Sequence, residues 1–270
     1  MHIPEKLAER LKLLDIDQNI YNSRTRKCIL SGEKLNLEKV PWYPHAYFIP
    51  EGFETDEMIF DPVSLVPCLA LDPKPGERIL DMCAAPGTKT YIMSFMTGNE
   101  ANITANDIDG KRVMRLSANI KKYEINASIL NKSGRTIEGS FGKILIDAPC
   151  SGEGMVNKNE KLFEHWSEKR VRFLSKKQKK LISRGFEILE PEGTLVYSTC
   201  TFAPEENEAV VDFLLEKHDN VSVAEMNIPI PHTNGMMSWN GKEFDARVSK
   251  CMRILPGETG GFFVARIRKA

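Results

Sequence analysis

The sequence is short of several features that would have placed it in a class at once. It carries no excess of charge: 37 Lys plus Arg are matched by 37 Asp plus Glu, for a formal net charge of +0. A protein that holds nucleic acid by overall charge is thereby excluded, and any such contact has to come from basic residues clustered locally. No apolar run reaches about eighteen residues, and no hydrophobic stretch follows a basic N-terminal region, so no membrane span or secretory leader is expected and the cytoplasm is the expected compartment. Cysteine is sparse, with 6 in 270 residues (Cys28, Cys68, Cys83, Cys150, Cys200 and Cys251). None is spaced C-x-x-C or lies near a His pair at zinc spacing, so free thiols are expected rather than a disulfide scaffold or a metal centre. The dinucleotide pattern G-x-G-x-x-G and the phosphate-loop pattern are both missing, as are repeats and low-complexity tracts.

What is present is a globular composition, 41% hydrophobic, enough for a sizeable core. Residues 3–15 carry Ile3, Leu7, Leu11 and Leu14 at helical spacing, with Pro4 suited to a first turn. Pro41, Pro44 and Pro50 then interrupt an aromatic stretch (Trp42, Tyr43, His45, Tyr47), which reads as an irregular, strand-poor connector. Beyond about Met58 strands and helices alternate. Strands are expected at Arg78–Met82, Ile103–Asp107, Lys143–Asp147 and Gly193–Ser198, with helices over 88–96, 110–123, 168–189 and 205–217. Such alternation implies a parallel sheet covered on both faces. Arg253-Ile254-Leu255 and Phe262 to Ile267, joined by a Gly-rich turn, read as an antiparallel hairpin at its edge.

Two constellations stand at the expected strand ends. The first is Asp81-Met82-Cys83-Ala84-Ala85-Pro86-Gly87-Thr88-Lys89, which leaves a strand and opens a helix, followed by Asp107 at the end of the next strand. Small residues let backbone approach a ligand, a helix N-terminus offers free N–H groups, and a carboxylate one strand on suits a ribose diol. The pair favours a nucleoside-bearing cofactor over a mere tight turn. The second constellation is Asp147-Ala148-Pro149-Cys150 and Ser198-Thr199-Cys200, two cysteines leaving strand ends on the cofactor side. Inert packing thiols sit more often in mid-strand.

Four stretches together resemble the Sun-type RNA cytosine-C5 methyltransferases: Asp81 to Thr90, Ile146 to Gly154, Leu195 to Glu208 with its Tyr-Ser-Thr-Cys-Thr and Pro-Glu-Glu-Asn-Glu core, and Gly261 to Arg268. The resemblance implies a Rossmann-like class I methyltransferase: α/β, a mostly parallel seven-stranded sheet closed by an antiparallel hairpin. Residues 56–270 would form the catalytic domain, and residues 1–55 a small N-terminal extension that contacts RNA. It implies S-adenosylmethionine as cofactor, with Cys83, Ala84, Ala85, Pro86, Gly87, Thr88 and Lys89 around its amino-acid part and Asp107 on its ribose. Cys200 is implied as the nucleophile that adds to cytosine carbon 6, and Cys150 as the thiol that assists product release. Asp147 is implied as the acid that hydrogen-bonds the base and also reaches the cofactor, and Lys89 as the lysine that polarises the site.

Arg112 matches a basic position on the following helix, although a surface arginine fits it equally. Relatives carry an Asp before Gly-Arg that contacts the adenine; here Ser133 precedes Gly134-Arg135, which leaves adenine binding weaker or rearranged. The partner implied is RNA, transfer RNA favoured slightly over ribosomal RNA. The basic run Lys169, Arg170, Arg172, Lys176, Lys177, Lys179, Lys180 and Arg184 is either a solvated helix face or a phosphate contact. Trp42, Tyr43, His45 and Tyr47 would stack on a flipped nucleotide or pack internally. Glu153-Gly154 with Asn157-Lys158-Asn159 is expected to loop over the base pocket. Ending close behind its last strand, the chain leaves no room for a C-terminal RNA-binding domain, so substrate choice is expected from the catalytic surface, the extension or a protein partner. An inert cofactor- and RNA-binding scaffold and a DNA cytosine methyltransferase are the other readings weighed. The first is opposed by Cys200, Cys150, Asp147 and Lys89 occurring together. The second is opposed by Cys200 itself, since DNA enzymes use the cysteine of a Pro-Cys motif.

Overall fold

The structure, a computed structural model, describes residues 3–158 and 161–270. The chain opens with α1 (Glu5–Leu13), the ribbon strands β1 (Lys27–Leu30) and β2 (Ala46–Ile49), and α2 (Leu65–Leu71). Alternation follows: β3 (Arg78–Asp81), α3 (Thr88–Met96), β4 (Asn102–Asn106), α4 (Gly110–Lys122), β5 (Ala127–Leu130) and β6 (Phe141–Asp147). Next come α5 (Lys161–Glu164), α6 (Glu168–Glu187), β7 (Leu189–Thr199), α7 (Glu208–Lys217) and β8 (Val221–Ala224). The short strands β9 (Thr233–Asn234), β10 (Ser238–Trp239), β11 (Lys242–Glu243) and β12 (Met252–Ile254) lead to β13 (Phe262–Lys269).

The main sheet runs β5-β4-β3-β6-β7-β13-β12-β9, with β8 also paired to β13. β3 to β7 are parallel, and β13 is antiparallel to β7, β8 and β12. The expected seven-stranded frame is therefore β3 to β8 with β13, and the hairpin partner β12 together with β9 widens it to nine strands. From β3 the chain winds outward through β4 and β5, then returns to place β6 on the other side of β3. The carboxyl ends of β3 and β6 thus flank the crevice where open α/β sheets bind ligands.

Alternate residues of the central strands enter opposite cores, as the two-residue period of a strand requires. Ile79, Leu145 and Val196 face α2, α3 and the N-terminal ribbon, while Leu80, Ile144, Ile146, Leu195 and Tyr197 face α6 and α7. Each fully buried Leu or Ile contributes on the order of 1.5–3 kcal/mol of transfer free energy.

The first 55 residues are tied into this frame. α1 lies as expected, but the segment read as strand-poor holds β1 and β2, paired antiparallel from Lys27↔Ile49 to Leu30↔Ala46. Both strands are buried on nearly every residue, so neither shows the polar alternation that marks a strand in sequence. Cys28, Leu30, Ala46 and Phe48 share one core with Val66 and Ile79. Leu7 and Leu11 of α1 pack with Trp166, Val171, Phe202 and Ala203, and Arg10 donates to both oxygens of Glu205 at 3.0 and 2.6 Å. α7 begins at Glu208 rather than near 205. Glu205, Glu206 and Asn207 direct their side chains into tertiary hydrogen bonds instead of forming a first helical turn.

Candidate active site

Parallel register brings three chemically distinct strand ends together. Asp81 lies opposite Leu145, and Asp147 lies opposite Ser198. The Ser198 hydroxyl donates to Asp147 Oδ1 at 3.0 Å, and Lys89, from the first turn of α3, donates to Oδ2 at 2.6 Å. A cation in the first turn of a helix opposes the macrodipole. Burial also disfavours the Lys89 ammonium, but Asp147 overrides it and holds the group protonated above its ordinary value. The ammonium also stands 5.2 Å from the ring centroid of Phe262. Behind this pair Asp81 accepts from the Thr90 hydroxyl at 2.7 Å, while its other oxygen is buried without a partner. Burial pushes its carboxyl up to about 7.

Cys150 and Cys200 are free thiols, their sulfurs 3.0 Å apart. The Cys200 N–H points at Cys150 Sγ at 3.3 Å. The contact with Cys200, together with burial, raises the Cys150 thiol well above its ordinary value, so Cys150 keeps its proton. Both thiols are partly exposed, as a reacting group must be. Three segments meet behind them: the Gly154 N–H donates to Cys200 O, and the Gly261 N–H to Gly154 O, each at 2.9 Å. The approach is close enough that a Cβ on Gly154 would stand 2.5 Å from Gly261 O, and one on Gly261 would stand 2.5 Å from the Phe202 ring.

On the cofactor side, Gly87 takes φ +111° to turn the chain from β3 into α3, a conformation open to glycine and strained for other residues. Ala84 and Ala85 are buried against Leu116 of α4. Arg112 is no stray surface arginine: it donates to Ala85 O and stands 3.2 Å from Asp107 Oδ2. Asn119 holds Pro86 O at 2.8 Å. Asn106, missed in the sequence, is buried and bonds Met82 O and Lys132 O, locking the ends of β3 and β5 to that of β4.

These anchors frame a cleft of about 580 Å³ lined by Met82, Cys83, Asp107, Ile108, Arg112 and Ser133 together with one flank of α6. Asp107 is 2% exposed there, and its Oδ2 makes no hydrogen bond. Such an oxygen invites a hydroxyl donor, so the residues present fit a ribose. Ile108, 69% exposed at the rim, offers an apolar face for a flat base. Of the expected loop, Cys83 faces this cleft, and Ala84 to Thr88 are not among its lining residues.

Several expectations take a different form. Tyr47 is buried, with its hydroxyl donating to Glu33 O at 3.2 Å, so it cannot stack on RNA. Trp42 and Tyr43 are half-buried against the core, with Tyr43 and His45 in edge contact at 5.8 Å. Glu153 does not reach over a pocket; it is 3% exposed and turned inward. Asn159 lies outside the described residues. The sequence places Glu153 only in a loop and Glu206 and Asn207 only within a motif, and it does not single out Gln178, yet the four hydrogen-bond extensively around the cysteine segments. The signal available was the density of acids in Cys-Ser-Gly-Glu-Gly and Pro-Glu-Glu-Asn-Glu.

Comparison with known proteins returns one consistent picture. A family model described as 16S rRNA methyltransferase RsmB/F matches residues 68–268. The chain is 35% identical to the tRNA (cytosine(49)-C(5))-methyltransferase of Pyrococcus abyssi, over 99% of this chain and 96% of that protein. It is 34% identical to the ribosomal RNA small subunit methyltransferase F of Escherichia coli, over 86% of this chain but 52% of that one, so it spans about half the length of that relative. Among solved structures, a methyltransferase homologue from Pyrococcus horikoshii superposes over 99% of this chain and all of its own, with TM-score 0.81 and 26% identity. NSun6 from Pyrococcus horikoshii, solved with SFG, superposes over 88% of this chain and 56% of its own, with TM-score 0.66 and 29% identity.

Proposed function

The chain belongs to the RsmB/F family of 16S rRNA methyltransferases, and from that premise we propose that it methylates carbon 5 of cytosine in RNA, with Cys200 as nucleophile. The observation that carries the reading is the pair of partly exposed free thiols, 3.0 Å apart, at the strand ends beside the Lys89–Asp147 pair.

Carbon 5 of cytosine is a weak nucleophile until carbon 6 is attacked. The Cys200 thiolate forms a sulfur–carbon bond at carbon 6, and the displaced π pair becomes available at carbon 5. Bound S-adenosylmethionine supplies the electrophilic methyl that this carbon takes. Transfer of the carbon-5 proton to a water molecule then returns the C–H electron pair to the ring as the carbon 5–carbon 6 double bond, and the carbon 6–sulfur bond breaks to release Cys200 as its thiolate. Asp147, held by Lys89 and Ser198, faces the base, where sharing a proton with ring nitrogen 3 would neutralise the negative charge that sulfur addition pushes there. Cys150, whose proton is firmly held, assists release by donating its S–H to the departing Cys200 sulfur 3.0 Å away. Cofactor placement rests on Asp107 for the ribose, Cys83 and Ser133 on the cleft wall, and Arg112 as the brace of Asp107. Ala84 to Thr88 act by shaping the turn into α3.

The substrate proposed is transfer RNA. The transfer-RNA enzyme is matched over 96% of its length, and methyltransferase F over half of its own. Phosphates would lie along α6. Arg135, Lys176, Lys177 and Lys180 line the cofactor cleft, and Lys179, Arg184 and Lys217 continue into an adjoining groove of about 490 Å³. Phe173, 55% exposed among them, offers a ring for stacking. The N-terminal extension adds a second groove, lined by Arg24, Arg26, Lys27 and Phe53, as a further RNA contact. No helix among the described residues is long and apolar enough to cross a membrane.

The test is transfer of labelled methyl to separate transfer-RNA and ribosomal-RNA pools by the wild type and Cys200→Ala. Label recovered as 5-methylcytosine from the transfer-RNA pool, and absent with the variant, is the expected result. Label retained by Cys200→Ala but lost by Cys150→Ala would reverse the two cysteines. Label in ribosomal RNA alone would overturn the substrate.

A further inference from the structure

The two cysteine segments hold each other through two buried carboxylates, each belonging to one segment and bonded to the other. Glu153 lies three residues after Cys150 but grips the chain that follows Cys200. One of its oxygens accepts from the Phe202 N–H at 2.8 Å, the Ala203 N–H at 3.1 Å and the Thr201 hydroxyl. Its other oxygen is fixed by the Trp166 indole at 2.5 Å and the Ser151 hydroxyl at 3.2 Å. Glu206 lies six residues after Cys200 but grips the chain around Cys150. It accepts from the Ser151 N–H at 3.2 Å and from the Gln178 amide at 2.7 Å. The same amide nitrogen donates to Pro149 O at 2.9 Å, so both neighbours of Cys150 are held. Glu206 and Gln178 are 0% exposed. The hydroxyls of Ser151 and Thr201, 2.7 Å apart, close the bridge between the segments.

Burying two carboxyl groups beneath a reaction centre is costly unless each is hydrogen-bonded, and an apolar core of the same volume would suffice merely to fold the chain. What the carboxylates supply is direction: each aims backbone N–H groups of one segment from an anchor on the other. Neither strand end can then move without its partner. We infer that Glu153 and Glu206 are reciprocal positioning residues, Glu153 setting Cys200 for attack and Glu206, through Gln178 and Ser151, setting Cys150 for release.

The inference rests on the roles proposed above for the two cysteines, and the test separates the two claims. Protein with cofactor is mixed with a pool of unmodified transfer RNA transcripts, and the covalent protein–RNA species is followed on denaturing gels beside turnover and cofactor affinity. Cys150→Ser should accumulate adduct. Glu206→Ala should accumulate it likewise, with turnover down at least tenfold and cofactor Kd within about twofold, while Glu206→Gln, which keeps an acceptor for the Ser151 N–H, restores release. Glu153→Ala in the Cys150→Ser background should slow adduct formation at least tenfold. If Glu206→Ala loses cofactor binding through misfolding, Gln178→Ala carries the same expectation. Adduct with Cys150→Ser but normal release by Glu206→Ala and Gln178→Ala overturns the brace alone. Normal release by Cys150→Ser overturns the role of Cys150, and the brace with it.

Discussion

The two halves of the site's upper edge are built to opposite plans. At the ends of β3 and β4 the walls are backbone turns and small residues, the cleft is open, and one oxygen of the key Asp107 carboxylate, ion-paired with Arg112, accepts no hydrogen bond. At the ends of β6 and β7 two buried carboxyl groups cross-link the segments, leaving one oxygen each of Glu206 and Gln178 without a partner, and backbones approach until glycine alone fits. The difference follows from what each half is proposed to do. A cofactor consumed at every turnover has to enter and leave, so its hydrogen-bonding groups must wait unsatisfied. The thiols stay in place through bond making and breaking, and fractions of an ångström in their placement decide the rate.

The largest difference between the two halves is expected when one methyl group is added to each. Gly261→Ala puts a Cβ 2.5 Å from the buried Phe202 ring and 3.0 Å from Pro256. Overpacking of that kind costs about 1–3 kcal/mol, and it would displace the Cys200 segment as well. Gly110, in α4 beside the cofactor cleft, has only Asn131 Oδ1 at 3.6 Å from such a Cβ. Gly110→Ala should therefore be neutral or, through helix propensity, stabilising by up to about 1 kcal/mol. Denaturant midpoints of the two variants, compared at equal slope, decide the matter. Equal losses would mean that the two halves are packed alike.

A smaller effect is expected from removing the waiting carboxylate. Asp107→Ala deletes an acceptor that is charged and, in the free protein, only partly used. Charge-assisted hydrogen bonds contribute about 1.5–3 kcal/mol, so cofactor Kd should rise at least about tenfold while adduct-forming chemistry at saturating cofactor changes little. Calorimetric titration gives the first quantity and single-turnover kinetics the second. A fall in the saturated rate with unchanged Kd would place Asp107 in the reacting half.

The same contrast explains what could be read from the sequence. The cofactor half was legible because local rules build it: a short apolar strand, a glycine turn, a helix, and a carboxylate one strand later. β3, α3, β4 and α4 all fall within a few residues of expectation, and Cys150 and Cys200 are recognisable by their places at strand ends. The bracing was not legible. Glu153 and Glu206 work across 50 and 55 residues of sequence separation, and no periodicity reports such a partner. Nor could the ribbon β1–β2 be seen, because burial on both faces erases the alternation that identifies a strand. Of the basic run on α6, Lys176, Lys177 and Lys180 line the cleft proposed for the cofactor, a placement that spacing alone did not fix.

The smallest effect concerns pH, and it isolates the cost of the braced half. Burial pushes the Glu206 carboxyl up to about 8, well above the ordinary value of an unfolded glutamate. The folded protein therefore binds this proton more tightly than the unfolded chain. Its contribution to stability is complete below the unfolded value of about 4.3 and is lost as pH rises through about 8. Between pH 7 and 8 the wild type should lose roughly 1 kcal/mol from this group, since a fully exchanged proton is worth about 1.4 kcal/mol per pH unit. Glu206→Gln has no proton to lose and still offers an acceptor to Ser151, so its denaturant midpoint should fall less over the same interval. Asp81, pushed up to about 7 by burial, would act in the same direction over a lower range and remain in both proteins, which leaves the difference between them to Glu206. Parallel curves for wild type and Glu206→Gln would mean that Glu206 is ionised throughout. Glu206 would then be a permanent anionic support under the thiols, and the cost of the braced half would have to be sought in the unpartnered oxygens of Gln178 and Glu206.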